Sequence, residues 1–338
     1  MIGRMTALPS SFRAYVVDRP ADTGFRRGLR DLGPADLPAG DVTVRVEWSG
    51  VNFKDGLAAR EDGRVARASP LVPGIDLAGT VVASTDAATP VGASVLANGY
   101  DLGTARHGGY AEYATLPAGW VVPLPGGLTA RDAMAIGTAG CTAAMSVDAL
   151  EARGLEPGAG PVLVTGASGG VGTMAVAMLA ARGHEVWAAT GKPSEADRLR
   201  ALGAAGVLAR DEVTGAGRPL ESARWAGAVD TVGAPTLPCV LRTLRVGAAV
   251  AICGNAGGAE LATTVLPFIL RGVAMLGMDS ANMAIDLRRR LWARLARDLR
   301  PPGIDDGVTE VTLETLEPAL DAIVAGSARG RWVVRVGG

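Results

Sequence analysis

The sequence is short of cysteine, histidine and aromatic side chains, and each shortage closes off a class of protein. Three cysteines, Cys141, Cys239 and Cys253, are spread through 338 residues. They lie far apart in apolar surroundings and lack the paired spacing of a disulfide framework or a thiolate metal site. A reducing compartment, the cytoplasm, is expected. His107 and His184 are the two histidines, and the first 140 residues contain no cysteine, so no zinc site of N and S ligands can be assembled there and no bound metal is expected. A charge excess of either sign is also missing. The formal net charge of −1 supplies no basic field for nucleic acid and no acidic tail for a basic partner. No stretch approaches ~20 uncharged apolar residues, and Met1 to Arg13 lacks a basic segment followed by an apolar run and a small-residue cleavage site, so neither a membrane partner nor an export leader is expected.

What the chain does have is apolar residues at 48% with only 4% aromatics, and 47 glycines, a composition suited to tightly packed α/β layers. Its length suggests two domains. From Phe12 to about Leu128, short alternating runs such as Val42-Thr43-Val44-Arg45-Val46-Glu47-Trp48 stand between Gly, Pro and Asp turns, the pattern of a strand-rich domain. The breakers Pro123, Pro125, Gly126 and Gly127 mark a boundary near residue 130. Beyond it, strands are expected at Pro161 to Thr165, Glu185 to Thr190, Gly206 to Leu208, Gly227 to Thr231, Ala248 to Cys253 and Ala274 to Met278. Helical stretches separate most of them, which implies a parallel sheet. Ala284 to Leu299 reads as a long helix returning to the first domain, and Trp332 to Val336 as the last strand. The expected division is 1–129 with 281–338 as a β-rich catalytic domain, and 130–280 as a doubly wound nucleotide-binding domain.

The strand Val162-Leu163-Val164-Thr165 runs straight into Gly166-Ala167-Ser168-Gly169-Gly170-Val171-Gly172 and an Ala-, Val- and Met-rich helix. That is the context a dinucleotide turn requires: bare backbone for close approach to a pyrophosphate, and a helix N-terminus offering N–H donors. Gly169 and Gly172 take the second and third glycine places, with Ala167 in the first. At the end of the second strand, where an NAD-preferring turn carries an acid for the ribose 2′-hydroxyl, stand Thr190, Gly191 and Lys192, with Arg210 after the third strand. A 2′-phosphate would meet positive charge there, so NADPH is expected over NADH. With no Lewis acid at hand, hydride addition to an activated C=C bond is favoured over alcohol oxidation.

Six stretches, Trp48 to Asp55, Val72 to Thr80, Ile136 to Gly140, Val164 to Gly172, Trp225 to Gly233 and Pro267 to Arg271, closely resemble the NADPH-dependent acryloyl-CoA reductases. These form a zinc-free branch of the quinone oxidoreductase-like medium-chain dehydrogenase/reductases. The resemblance runs from about Phe12 to Val336. It implies a GroES-like catalytic domain with a Rossmann domain, an acyl-CoA substrate and a homodimer. It also implies reduction of acryloyl-CoA to propanoyl-CoA, with hydride to the β-carbon and a proton to the α-carbon. Carried across, it assigns Ser168, Gly169, Gly170 and Val171 to the pyrophosphate, and Thr190, Gly191, Lys192 and Arg210 to the 2′-phosphate. Asn255, Ile269 and Ser280 fall on the nicotinamide side. In the motif around Asn52 the family commonly has Tyr where this chain has Phe53, which can stack on the cofactor but has no proton to give. Asn52, Lys54 and Asp55 are then the catalytic candidates, with Lys54, Asp55 or water as proton source.

Plainer readings stand beside these. Asn52, Lys54 and Asp55 also fit a polar turn with Asp55 capping a helix, and Asp76 fits either a buried acid satisfied by backbone donors or a site residue. Cys141 reads as a packed thiol, Tyr110 and Tyr113 as strand residues, His184 as a surface-turn residue, and Arg64, Arg67 and Arg271 as surface charges. The Asn-Phe-basic-Asp pattern also resembles enoyl reductase domains of fatty-acid and polyketide synthases, which leaves a longer enoyl thioester open as substrate. A broad quinone or enone reductase and a non-catalytic NADPH-binding sensor or structural protein are the alternatives to be tested.

Overall fold

The computed structural model describes residues 8–20, 22, 24–304 and 306–337; the stretch 1–7, part of the segment read above as carrying no leader, lies outside them. The chain forms two compact units: Met1–Thr138 with Ala281–Ala296 and Ile304–Gly338, and Ala139–Ser280 with Arg297–Gly303.

The first unit is built on a mixed seven-stranded sheet. Strand Val42–Gly50 lies in it between Asp76–Ser84 and Arg331–Arg335, and also pairs with Tyr113–Leu116. Its alternation is the one read from sequence: Val42, Val44 and Val46 are fully buried, while Thr43, Arg45 and Glu47 turn outward. Register shifts at Thr43/Val44 and Val46/Trp48 bend the strand before it delivers Asn52 to a short helix, Phe53–Ala58. A parallel pair, Val308–Thr312 and Arg331–Arg335, completes one edge. This brings the C-terminal end of the chain beside the Asn52 segment.

The second unit carries six strands, labelled here β1 (Val162–Thr165), β2 (Val186–Thr190), β3 (Gly206–Ala209), β4 (Gly227–Asp230), β5 (Ala249–Ile252) and β6 (Ala274–Gly277). Every pairing is parallel and the order is β3-β2-β1-β4-β5-β6, the doubly wound Rossmann arrangement. Each strand matches its expected segment to within a residue or two at either end. The helix expected over Ala284 to Leu299 is shorter, Ile285–Leu295.

One helix comes nearest to the apolar run that the sequence is read as lacking, and its charged residues Arg131, Asp132, Asp148 and Glu151 leave that reading standing. Ala130–Ala152 is long and apolar enough to cross a membrane, but 78% of its apolar window is buried within the protein, as a core helix would be. It is also broken at Gly137, whose φ of 53° and ψ of −162° are not helical.

Candidate functional site

In the first unit the Asn52 motif sits over a buried polar cluster. Asn52 precedes helix Phe53–Ala58, and Asp55 occupies its third position, so the Asp55 carboxylate reaches back to accept the Asn52 N–H at 2.9 Å. Asp55 also accepts the Asn52 amide at 3.1 Å and the Ile75 N–H at 2.8 Å, and it is fully buried. Asn52 Nδ2 donates a second bond, at 2.7 Å, to Asp76, which is likewise fully buried. Asp76 receives the Thr138 N–H at 3.0 Å and the Thr138 hydroxyl at 2.5 Å. The break at Gly137 turns Thr138 inward, and a Cβ there would stand 2.7 Å from both Asp76 Oδ2 and Arg331 Nη2. Arg331 donates to the Ala135 carbonyl at 2.9 Å and to Asn52 Oδ1 at 3.4 Å. Two carboxyls, one guanidinium and an amide of fixed orientation thus form one connected network.

The motif divides by the geometry of a helix start. Asn52 and Asp55 face this network, whereas Phe53, at 55% exposed, and Lys54 face outward. Of the proton-source candidates, Asp55 has no exposed surface and accepts internal donors at both oxygens, while Lys54 is open to solvent. Asp76 therefore has a place in the cluster, but through side-chain donors and Thr138 as well as backbone. Arg331 escaped the sequence reading altogether, since it lies 279 residues from Asn52 and no local pattern marks it.

In the second unit the glycine turn is shaped for close approach. Gly166 has φ +58°, and a Cβ on it would lie 2.2 Å from Thr231 Oγ1; one on Gly172 would lie 2.4 Å from the Gly166 carbonyl oxygen. Helix Gly170–Ala181 begins here with Gly169 and Gly170 exposed and Ser168 and Val171 half-buried. Ser168 and Thr190 share a hydroxyl–hydroxyl bond of 2.9 Å, and Thr190 Oγ1 accepts the Lys192 N–H at 3.0 Å. The Arg210 guanidinium packs over Gly191, where a Cβ would fall 2.6 Å from its Cζ. The structure thus brings Ser168, Thr190, Gly191, Lys192 and Arg210 together around the turn, a cradle that fits a phosphorylated dinucleotide. Asn255 is exposed in the loop after β5, Ile269 is 68% exposed on helix Leu266–Arg271, and the Ser280 hydroxyl accepts Thr142 at 2.7 Å.

Three side readings, those of His184, Tyr110 and Arg271, need correction, while Arg67 remains an exposed charge and Cys141 a packed thiol as expected. His184 stands in a turn but is 6% exposed, and burial pushes its imidazole below the usual histidine range. Tyr110 lies at a fully buried bend rather than in a strand, donating to the Gly50 carbonyl at 2.9 Å. Arg271 is no loose surface charge: it donates to the carbonyls of Arg242 and Leu244, at 2.9 Å each, closing the end of helix Thr236–Thr243. Arg67 pairs with Asp101. Cys141 is a fully buried, unoxidised thiol.

Burial first, and then the neighbouring Asp76 carboxyl, push Asp55 up from 3.8 to about 7, against the pull of its three donors. The folded state therefore holds this proton more tightly than the unfolded chain, and the stability this confers is full below pH 3.8 and lost as pH rises through 7. Urea unfolding of the parent should show a decline across that window of at most about 1.4 kcal/mol per pH unit from this group. Asp55→Asn should remove it; parallel curves for the two proteins would refute the assignment.

Residues 38–126 match the alcohol dehydrogenase GroES-like domain and residues 170–297 the zinc-binding dehydrogenase domain. The residues present do not fit a zinc ion: among the described residues no three His, Cys, Asp or Glu side chains gather as ligands. Acrylyl-CoA reductase AcuI of Ruegeria pomeroyi is 50% identical over 96% of this chain and 99% of that protein. YhfP of Bacillus subtilis, described as a putative quinone oxidoreductase, is 46% identical over 96% of this chain and 99% of its own length; its structure with NAD bound superposes with a TM-score of 0.94 over 97% of this chain and 100% of that one. The yhdH oxidoreductase of Salmonella enterica in complex with NADP is 45% identical, with a TM-score of 0.92 over 96% of this chain and 100% of that chain. On its fold and its end-to-end similarity, the chain belongs to the acrylyl-CoA reductase family of GroES-like and Rossmann-domain oxidoreductases.

Proposed function

We propose that this chain reduces acryloyl-CoA to propanoyl-CoA with NADPH in the cytoplasm. The observation that carries the reading is the 50% identity to the Ruegeria acrylyl-CoA reductase over 96% of the chain. The end of β2 supports the coenzyme: Thr190 and Lys192 stand where an acid would favour NADH, and Arg210 lies against Gly191. When bound, NADPH supplies the hydride that reaches the β-carbon. Ser168, Gly169, Gly170 and Val171 hold the pyrophosphate with the N–H groups of the helix start. Thr190, Gly191, Lys192 and Arg210 hold the 2′-phosphate, and Asn255, Ile269 and Ser280 border the nicotinamide. The Phe53 ring contributes an apolar face.

As the thioester carbonyl draws in charge, a proton must reach the α-carbon. Lys54, outward and solvated, is the proton source, directly or through water. Asn52 and Asp55 act as positioning residues that fix the helix start bearing it. Lys54→Met should lower kcat by roughly 10²-fold while leaving the NADPH KM in place, with Lys54→Arg recovering part of the loss. Unchanged kcat in Lys54→Met would remove Lys54 from this role.

Steady-state rates with acryloyl-CoA, crotonyl-CoA, a quinone and a simple enone, each with NADPH and NADH, test the reading directly. Acryloyl-CoA with NADPH should be fastest. Arg210→Ala should raise the NADPH KM by roughly ten- to a hundredfold, as loss of a charge-assisted bond does, without raising the NADH KM. The description of the Bacillus relative as a quinone oxidoreductase supports the second reading, a quinone or enone reductase, and rapid quinone turnover without acryloyl-CoA turnover would favour it.

A homodimer is the proposed assembly. β6 is an edge strand, and Val265, Leu270 and Met275 around it are 64%, 62% and 36% exposed, an apolar margin that a second copy would cover. Light scattering should return twice the 34.3 kDa chain mass, and Leu270→Lys should shift the mass toward one chain.

A further inference from the structure

In the order β3-β2-β1-β4-β5-β6, β1 and β4 are neighbours at the point where the strand order reverses, and a dinucleotide lies across the carboxyl ends of strands at such a point. Backbone pairing of β1 with β4 stops at Val164 and Val229. Beyond it the two strands are joined by side chains. Asp230, fully buried at the end of β4, accepts the Thr165 hydroxyl at 2.6 Å on one oxygen and the Gly233 N–H at 2.8 Å on the other. Thr165 Oγ1 in turn accepts the Thr231 N–H at 3.2 Å, and the Thr231 hydroxyl donates to the Thr165 carbonyl at 3.0 Å.

Because Thr165 Oγ1 receives the Thr231 N–H, its own hydrogen is left for Asp230. Gly233 and Val232 offer Asp230 backbone N–H groups as well. All of these neighbours of the carboxyl are donors, which favour its ionised form against the burial that pushes its pKa up.

The same residue organises the loops on the far side of the turn. The Asp230 carbonyl accepts Cys253 N–H at 3.0 Å, and Val232 carbonyl accepts Gly257 N–H at 2.7 Å. A Cβ on Gly254 would stand 2.2 Å from the Thr231 oxygen, and one on Gly233 2.5 Å from the Gly258 oxygen. The loop 231–235 is therefore pressed against the loop 253–258, which carries Asn255, with no space for adjustment between them. Thr231 Oγ1 also fills the space a Cβ on Gly166 would need, 2.2 Å away.

We infer that Asp230 is a positioning residue for the nicotinamide half of the coenzyme, acting through Thr165 and the loops 231–235 and 253–258; the inference rests on the NADPH reading above. The adenosine 2′-phosphate half is assigned above to Thr190, Lys192 and Arg210, which lie at or just beyond the ends of β2 and β3, on the other side of β1 from Asp230. The two halves of the coenzyme are thus separable by experiment. NADPH and 2′,5′-ADP, which lacks the nicotinamide half, serve as the probes, with binding followed by calorimetry on the intact chain well below its melting temperature.

Asp230→Asn introduces a donor among donors, and Thr165→Val deletes the bridging hydroxyl at constant shape. Each should weaken NADPH by roughly tenfold while 2′,5′-ADP binds as to the parent, and Thr165→Ser should recover NADPH binding. The Thr165 pair keeps the test decisive where Asp230→Asn folds poorly. Unchanged NADPH affinity in Thr165→Val, or an equal loss for both probes, overturns the inference, because a residue that merely stabilises the unit would move neither or both. A parent protein that binds neither probe would instead overturn the NADPH reading.

Discussion

Buried charge is the constraint to which much of this backbone answers. Asp55, Asp76 and Asp230 have no exposed surface, and Arg331 is 8% exposed. Removing an ion from water costs several kcal/mol unless donors or opposite charge surround it. In the first unit the response shapes the main chain itself. A helix is interrupted at Gly137 so that an amide and a hydroxyl of Thr138 reach Asp76. Gly50 is bare where a Cβ would stand 3.0 Å from Asp76 Oδ2 and 3.4 Å from the Met134 oxygen. A strand is bent just before Asn52. Loss of any one partner would leave a buried polar group unsatisfied, so the cluster is best regarded as a single unit of structure.

The second unit solves the opposite problem, how to present a binding surface with little side chain at all. At Gly166 and Gly172 the neighbouring backbone and Thr231 fill the space a Cβ would need, so the turn is tight because it is bare. Geometry is set by this close-packed backbone, with the Thr165 and Asp230 hydrogen-bond knot beside it. Coenzyme preference, on the proposed reading, would fall by contrast to Lys192 and Arg210, which are exposed and therefore partly screened by water. Position and selectivity rest on different physical terms, and one can change without the other.

The parts of this arrangement that were legible in sequence are those set by local pattern. The six strands of the Rossmann sheet are apolar runs stopped by Gly or charged turns, and period-two alternation marks Val42–Gly50. The turn at Gly166 and the hydroxyl and lysine after β2 are likewise neighbours in the chain. Arg331 could not be seen, because its meaning comes from Asn52 and Ala135, at separations of 279 and 196 residues. His184 was misjudged because a polar residue after Gly183 signals a turn, and the signal says nothing about whether the turn is tucked inward. Tyr110 failed similarly: Gly108 and Gly109 before it mark a bend, but the burial of its ring depends on strands far away.

The Asn52 to Asp55 motif shows why a departure from a family pattern can be harmless to the fold. At a helix start the cap and third positions share one face, while the first and second point away. Asn52 and Asp55 accordingly enter the buried network, and Phe53 and Lys54 leave it. The hydroxyl that a tyrosine would carry at position 53 thus belongs to the outward face, and its loss unties none of the bonds that hold Asp55 or Asp76. The ring surface remains for an apolar contact. The side chain beside it on that same outward face is Lys54, the proton source under the proposed function.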